Sequence, residues 1–161
     1  MIDLHKIHEQ EAFDLVGERV LSLAEIQPLL TAFGFVFEDD FAWLSRSDRA
    51  EQWQTGTLVD CHFLAKGREV YPDESDFDTL RFDVLVASLP QEQVLKALHV
   101  IFDIADQVQL VVSHGSRAVS RAEIPSLVAR WTEEIVSEAG DICGSESVAI
   151  LIRMEYDKRR A

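Results

Sequence analysis

The stretch Leu80-Arg-Phe-Asp-Val-Leu-Val86 decides how this chain is read. Leu80, Phe82, Val84 and Val86 recur at every second position, with Arg81 and Asp83 between them. Successive side chains of a strand point to opposite faces, so this pattern is a strand with one apolar side. Sheets made of such strands pair mostly antiparallel and cover one face with helices.

On the C-terminal side the pattern changes to helical spacing. Ser88-Leu-Pro-Gln91 reads as a helix start, with Pro90 early enough to be tolerated. Val94, Leu95, Leu98, Ile101, Phe102 and Ala105 form the apolar stripe of that helix. Residues 109–112 make a short strand closed by His114-Gly115. Ser120-Arg-Ala-Glu123 is a capping box, followed by Ile124, Leu127, Val128, Trp131 and Ile135 on one helix face. Gly140 is expected to end this helix, and 141–147 is a polar loop. Val148, Ile150, Ile152, Met154 and Tyr156 alternate in a last strand, expected to pair beside the strand at 79–87.

On the N-terminal side the first fifteen residues are ambiguous between a frayed helix and an edge strand, and are read as a mobile end. Arg19-Val-Leu21 is a short strand leading into Ser22-Leu-Ala-Glu25, a second capping-box pattern. Ile26, Leu29, Leu30 and Phe33 then mark one helix face, and Gly34 suits a left-handed cap. Pro28 moves the expected helix start toward Glu25. Phe35-Val-Phe37 and Phe41-Ala-Trp-Leu44 flank Glu38-Asp-Asp40 as a hairpin. A strand-like run over 53–65 ends at Lys66-Gly-Arg68, with Val70 and Tyr71 starting the return strand before Pro72.

The whole is read as one α+β domain over 1–161, with 157–161 as a tail. Its sheet is mostly antiparallel, of about five to six strands, with two to three helices on one face. With 161 residues, 47% hydrophobic and 27% charged, the chain can bury a core and is not composed like a disordered one. It carries 29 Asp and Glu against 15 Lys and Arg, a formal charge of −14. Such a field repels nucleic acid and anionic lipid and attracts basic surfaces. No apolar run suits a signal peptide or a membrane span, and two widely spaced cysteines form no disulfide framework, which points to the cytoplasm.

Candidate chemistry is sparse. His5 and His8 lie at i, i+3 with Glu9 and Glu11 near, without the spacing of a zinc-hydrolase helix. In Asp60-Cys-His62, a strand puts Cys61 on the face opposite His62, so Cys61 reads as core packing. Trp131 belongs to a helix core stripe, and Trp43 and Trp53 are assigned to core as well. Ser113, His114, Ser116 and Arg117 form a strand-end segment where an anion could be held, although no phosphate loop, nucleophile elbow or dinucleotide fingerprint accompanies it. The loop Asp73-Glu-Ser-Asp-Phe-Asp78 fails the calcium-loop spacing, since position 6 is Asp78 and position 12 is Val84. No cofactor or metal is implied.

What remains is a repeated chemistry. Asp73, Glu74, Asp76 and Asp78 surround Phe77, while Glu38, Asp39 and Asp40 sit between Phe37 and Phe41. Carboxylates beside aromatic rings suit Lys and Arg side chains. The sequence therefore points toward a non-enzymatic acidic module that docks a basic protein, as an immunity or inhibitor protein occludes a cationic toxin or nuclease. The alternative is a small-ligand site or enzyme at 113–117. A homodimer paired through the last strand fits either reading.

Overall fold

The computed structural model describes residues 10–45, 57–85 and 91–143. Their elements run β1 (Gln10–Leu21), α1 (Leu23–Ala32), β2 (Val36–Phe37), β3 (Phe41–Ser45), β4 (Thr57–Ala65), β5 (Arg68–Glu69) and β6 (Phe77–Leu85). The chain continues through α2 (Gln91–Val108), β7 (Val111–His114), β8 (Arg117–Ala118), a 3-10 turn (Arg121–Glu123) and α3 (Ile124–Cys143). The fold is α+β. The described residues form an eight-stranded antiparallel sheet in the order β2-β3-β4-β6-β1-β7-β8, with β5 also pairing β4.

Strand alternation supplies the covered face. Across neighbouring strands Val59, Val84 and Glu11 align, as do Cys61, Phe82 and Phe13, and Phe63, Leu80 and Leu15. All of these but Glu11 are apolar, and they join Ile26 and Leu30 of α1 and Val94, Leu98, Ile101, Ile104 and Ala105 of α2 in one core cluster. Trp131 of α3 closes it, edge-on to Phe13 with ring centroids 5.8 Å apart. Cys61 is fully buried there, and burial pushes its thiol pKa well up, so it is a packing residue and no nucleophile.

The opposite face carries the polar partners of the same strands. Arg81 holds Asp14 across β6 and β1 through two hydrogen bonds of 2.8 and 3.1 Å. His62 lies 3.6 Å from both Asp83 and Glu69 and stacks against Phe41. Trp43 is buried, yet its register partner is Asp60, so it lies on this face.

Several expectations are corrected. The N-terminal segment expected to be mobile contributes twelve residues of central strand from Gln10, because β6 and β7 pair with its two edges. The helix after it starts at Leu23, with Ser22 extended at its N-cap and Pro28 inside. Ser22 makes no side-chain cap bond, and Glu25 instead pairs with Arg19, which also donates to the Val108 carbonyl at 2.6 Å. That contact places a cation at the C-terminus of α2, where the exposed carbonyls favour it. α2 continues to Val108. Gln109, at φ 57°, then takes the left-handed position, and the Leu110 amide donates back to the Ala105 carbonyl at 3.0 Å. The return strand after Lys66-Gly67 begins at once, at Arg68, and Gly140 does not stop α3.

The place beside β6 expected for the last strand is taken by β4 and β1. The expected strand at 148–156, the 157–161 tail, His5, His8 and Trp53 lie outside the described residues. Among the described residues no helix is long and apolar enough to cross a membrane.

Candidate functional site: an acidic end of the sheet

β3 and β6 are both antiparallel to β4, so they run in the same direction and begin at the same end of the sheet. Glu38-Asp39-Asp40 immediately precedes β3, and Asp73 to Asp76 precedes β6. Two acidic segments more than thirty residues apart in sequence therefore lie toward the same end of the sheet, staggered along β4, since β3 begins opposite His62 and β6 begins two residues before the Thr79–Leu64 pair. Only β4 separates the strands they lead into, a lateral gap of roughly 10 Å at about 4.8 Å per strand.

Local bonding shapes each segment. Glu38 donates its amide to the Phe41 carbonyl at 2.9 Å, closing the β2–β3 hairpin and leaving Glu38, Asp39 and Asp40 exposed at its tip. In the second segment the Tyr71 carbonyl accepts the amides of Glu74 and Ser75, each at 3.1 Å. This single turn projects Tyr71, Asp73, Glu74 and Asp76 into solvent while Pro72 points inward. A ladder of rings underlies both segments: Phe37 stacks on Phe63 at 6.1 Å, and Phe63 meets Phe77 edge-on at 4.9 Å.

Two sequence expectations change here. Phe77 is 1% exposed and belongs to the core, so it offers no aromatic anchor to a partner. The displayed ring is Tyr71, at 53% exposed. The sequence signal available was Pro72, which ends strand pairing there, but it does not state which way Tyr71 faces. Asp78 is also spent locally. Its carboxylate accepts the Lys66 amide at 3.0 Å and the Thr79 hydroxyl at 2.8 Å. These bonds, the Lys66 amide foremost, hold its pKa below the ordinary aspartate value.

Lys66 and Gly67, both at positive φ, form the tight β4–β5 turn that Asp78 braces. The turn brings Lys66 and Arg68 to the same end, so the rim is predominantly and not uniformly acidic.

The 113–117 segment is a second tight hairpin, with Gly115 and Ser116 at φ 59° and 65° between β7 and β8. His114 is turned inward. Its Nε2 lies 2.8 Å from a Glu11 carboxylate oxygen, and its ring stacks on Phe13 at 4.8 Å and meets Trp131 edge-on. Arg117 donates to Glu123 at 2.9 Å, and the other Glu123 oxygen accepts the Ser120 amide at 2.7 Å. Those two contacts, the Ser120 amide first, hold the Glu123 pKa below the usual value. Ser113 pairs in register with Asp14 and Ala118. The guanidinium expected to hold an anion is thus already held by a carboxylate.

Among the described residues no group of three or more His, Cys, Asp and Glu side chains converges to hold a metal ion. No protein-family model matches the chain, and no curated protein matches it.

Proposed function

We propose that the chain is a non-catalytic protein-binding module whose acidic sheet end docks a basic protein, as an immunity or inhibitor protein covers the cleft of a cationic toxin or nuclease. The observation that carries this reading is that exposed Glu38, Asp39 and Asp40 lie toward the same end of the sheet as exposed Tyr71, Asp73, Glu74 and Asp76. Among the described residues no ion pair engages these six carboxylates, so their charge is available to a partner. Long-range attraction would speed encounter, and Tyr71 would supply a rigid ring for contact once docked.

The test is capture from the protein's own cells at low and high salt, using wild type and a D39K/D40K/D73K/E74K variant. The screening length falls from about 10 Å at 0.1 M salt to about 3 Å at 1 M, so exposed charges lose reach over that range. A stoichiometric basic protein that is retained by wild type, released by salt and lost from the variant supports the reading. Equal capture by both forms removes its basis.

A further inference from the structure

A cavity of about 250 Å³ opens between the C-terminal end of α1, the β3–β4 pair and the first turns of α2. Phe33, Leu44, Leu58, Ala97 and Val100 wall it, with Ser45, Gln93 and Lys96 as its polar lining.

The fold explains the space. In β4 the register skips from Val59 opposite Leu44 to Thr57 opposite Ser45, so Leu58 is an extra residue in a bulge. It packs in the helix-side core beside Val59. Gln93, Lys96, Ala97 and Val100 stand at i, i+3, i+4 and i+7 of α2, a single helix face. At its centre Ala97 presents only a methyl group, too small to fill the gap opposite the bulge.

Charge gives the cavity a preference. Among the described residues Arg19, Arg81, Arg117, Arg121 and Arg130 each meet a carboxylate, whereas the side chain of Lys96, like those of Lys66 and Arg68 at the far turn, meets none. Of these three, Lys96 is the one that lines the cavity, so its charge faces whatever enters there. Its alkyl stem can lie along the apolar walls while its ammonium stays at the mouth.

We infer that this cavity binds a small amphiphile with an apolar body and a single carboxylate head, the body against Phe33, Leu44, Leu58 and Val100 and the head on Lys96. The volume equals that of about eight waters at about 30 Å³ each, which sets the ligand at about eight heavy atoms. Hexanoate has that size and chemistry. The site is separate from the acidic end, so either reading can fail alone.

Titration of the protein with hexanoate and with hexanol, followed by amide and methyl chemical shifts, tests the inference. Wild type is expected to bind hexanoate saturably, at least fivefold tighter than hexanol, with shifts centred on residues lining the cavity. Lys96→Glu, an exposed change that leaves the core intact, is expected to weaken hexanoate at least tenfold while sparing hexanol. Val100→Phe is expected to weaken both by filling the space. Absence of saturable hexanoate binding overturns the site. Equal affinity for the two probes, or indifference to Lys96→Glu, overturns the carboxylate assignment.

Discussion

At the acidic end of the sheet the carboxylates of Asp39, Asp40, Asp73 and Glu74 stand in solvent, whereas at the 114–117 hairpin the charged groups are already engaged. Glu11 holds His114, and Glu123 holds Arg117. Both regions are turns between strands, and both are rich in the residue types used for recognition. They differ in how the neighbouring elements are placed. β1 runs beside β7 and brings Glu11 to His114, while the turn before α3 brings Glu123 back to Arg117. At the acidic end the neighbouring turns bring mainly more carboxylates, which cannot neutralise one another. Recognition chemistry is thus left over at one end and consumed at the other.

The sharpest way to break this comparison is to exchange the roles assigned to Phe77 and Tyr71. Phe77→Ala removes a core ring packed on Phe63 and is expected to destabilise the fold by about 3–5 kcal/mol in urea unfolding. Tyr71→Ala changes an exposed side chain and is expected to stay within about 0.5 kcal/mol. Similar losses for both variants would mean that Tyr71 is not displayed.

A smaller effect separates the two turns. His114→Ala deletes a stacked ring and a charge-assisted contact to Glu11, and is expected to cost roughly 1–2 kcal/mol given its partial exposure. Asp40→Ala at the other turn is expected to be nearly neutral in the same unfolding measurement. An equal cost at both turns would erase the distinction between held and displayed charge.

Asp83 extends the comparison to the polar face of the sheet. Burial, foremost, raises its pKa, with His62 and Arg81 pulling the other way and Asp14 and Glu69 adding to the rise. Its register partner on β4 is Asp60. A carboxylate disfavoured in the folded state weakens the fold only when charged. Asp83→Asn is therefore expected to stabilise at neutral pH by about 0.2–1 kcal/mol, the size of a cross-strand like-charge contribution. The gain should be complete above the raised folded pKa and vanish below the ordinary value of about 3.9, as thermal melts across pH would record. Destabilisation at neutral pH would show that the contact with His62 outweighs the burial.

What the sequence made legible is what short-range periodicity encodes. The alternation of Leu80, Phe82 and Val84 and the stripe from Val94 to Ala105 specify which face is buried, and both were read correctly. The first strand is legible only in part, at Arg19–Leu21, with helix and edge strand both left open before it, because Glu11, Ala12, Asp14, Gly17 and Glu18 dilute its pattern. Gln10–Leu21 is a strand because two neighbours pair with it, and pairing between distant segments leaves no local trace. The same limit applied to the sites. The acidic segments could be named from sequence, but their placement toward one end depends on β3 and β6 sharing β4 as a neighbour. Arg117 looked available because Glu123 lies beyond a turn whose direction the sequence does not state. Ala97 and the Leu58 bulge give no sequence sign that a cavity lies between them.

The finest distinction lies within the acidic loop itself, between Asp78 and the exposed carboxylates just before it. Asp78 braces the Lys66-Gly67 turn, and accepting the Lys66 amide lowers its pKa. A carboxylate whose folded pKa is depressed adds stability above its unfolded value, about 3.9, and that stability is lost as pH falls through the folded pKa. Asp78→Asn keeps an oxygen able to accept from Lys66 and Thr79 but removes the charge. At neutral pH the expected cost is well under about 1 kcal/mol, because solvent screens so exposed a contact. Wild type and variant should then converge as pH falls below the unfolded value. Asp76→Asn, at an exposed carboxylate that accepts no hydrogen bond among the described residues, is expected to leave stability at neutral pH within about 0.5 kcal/mol of wild type. If Asp78→Asn stayed offset from wild type by the same amount at every pH, the Lys66 amide would not be what sets the acid response of this loop.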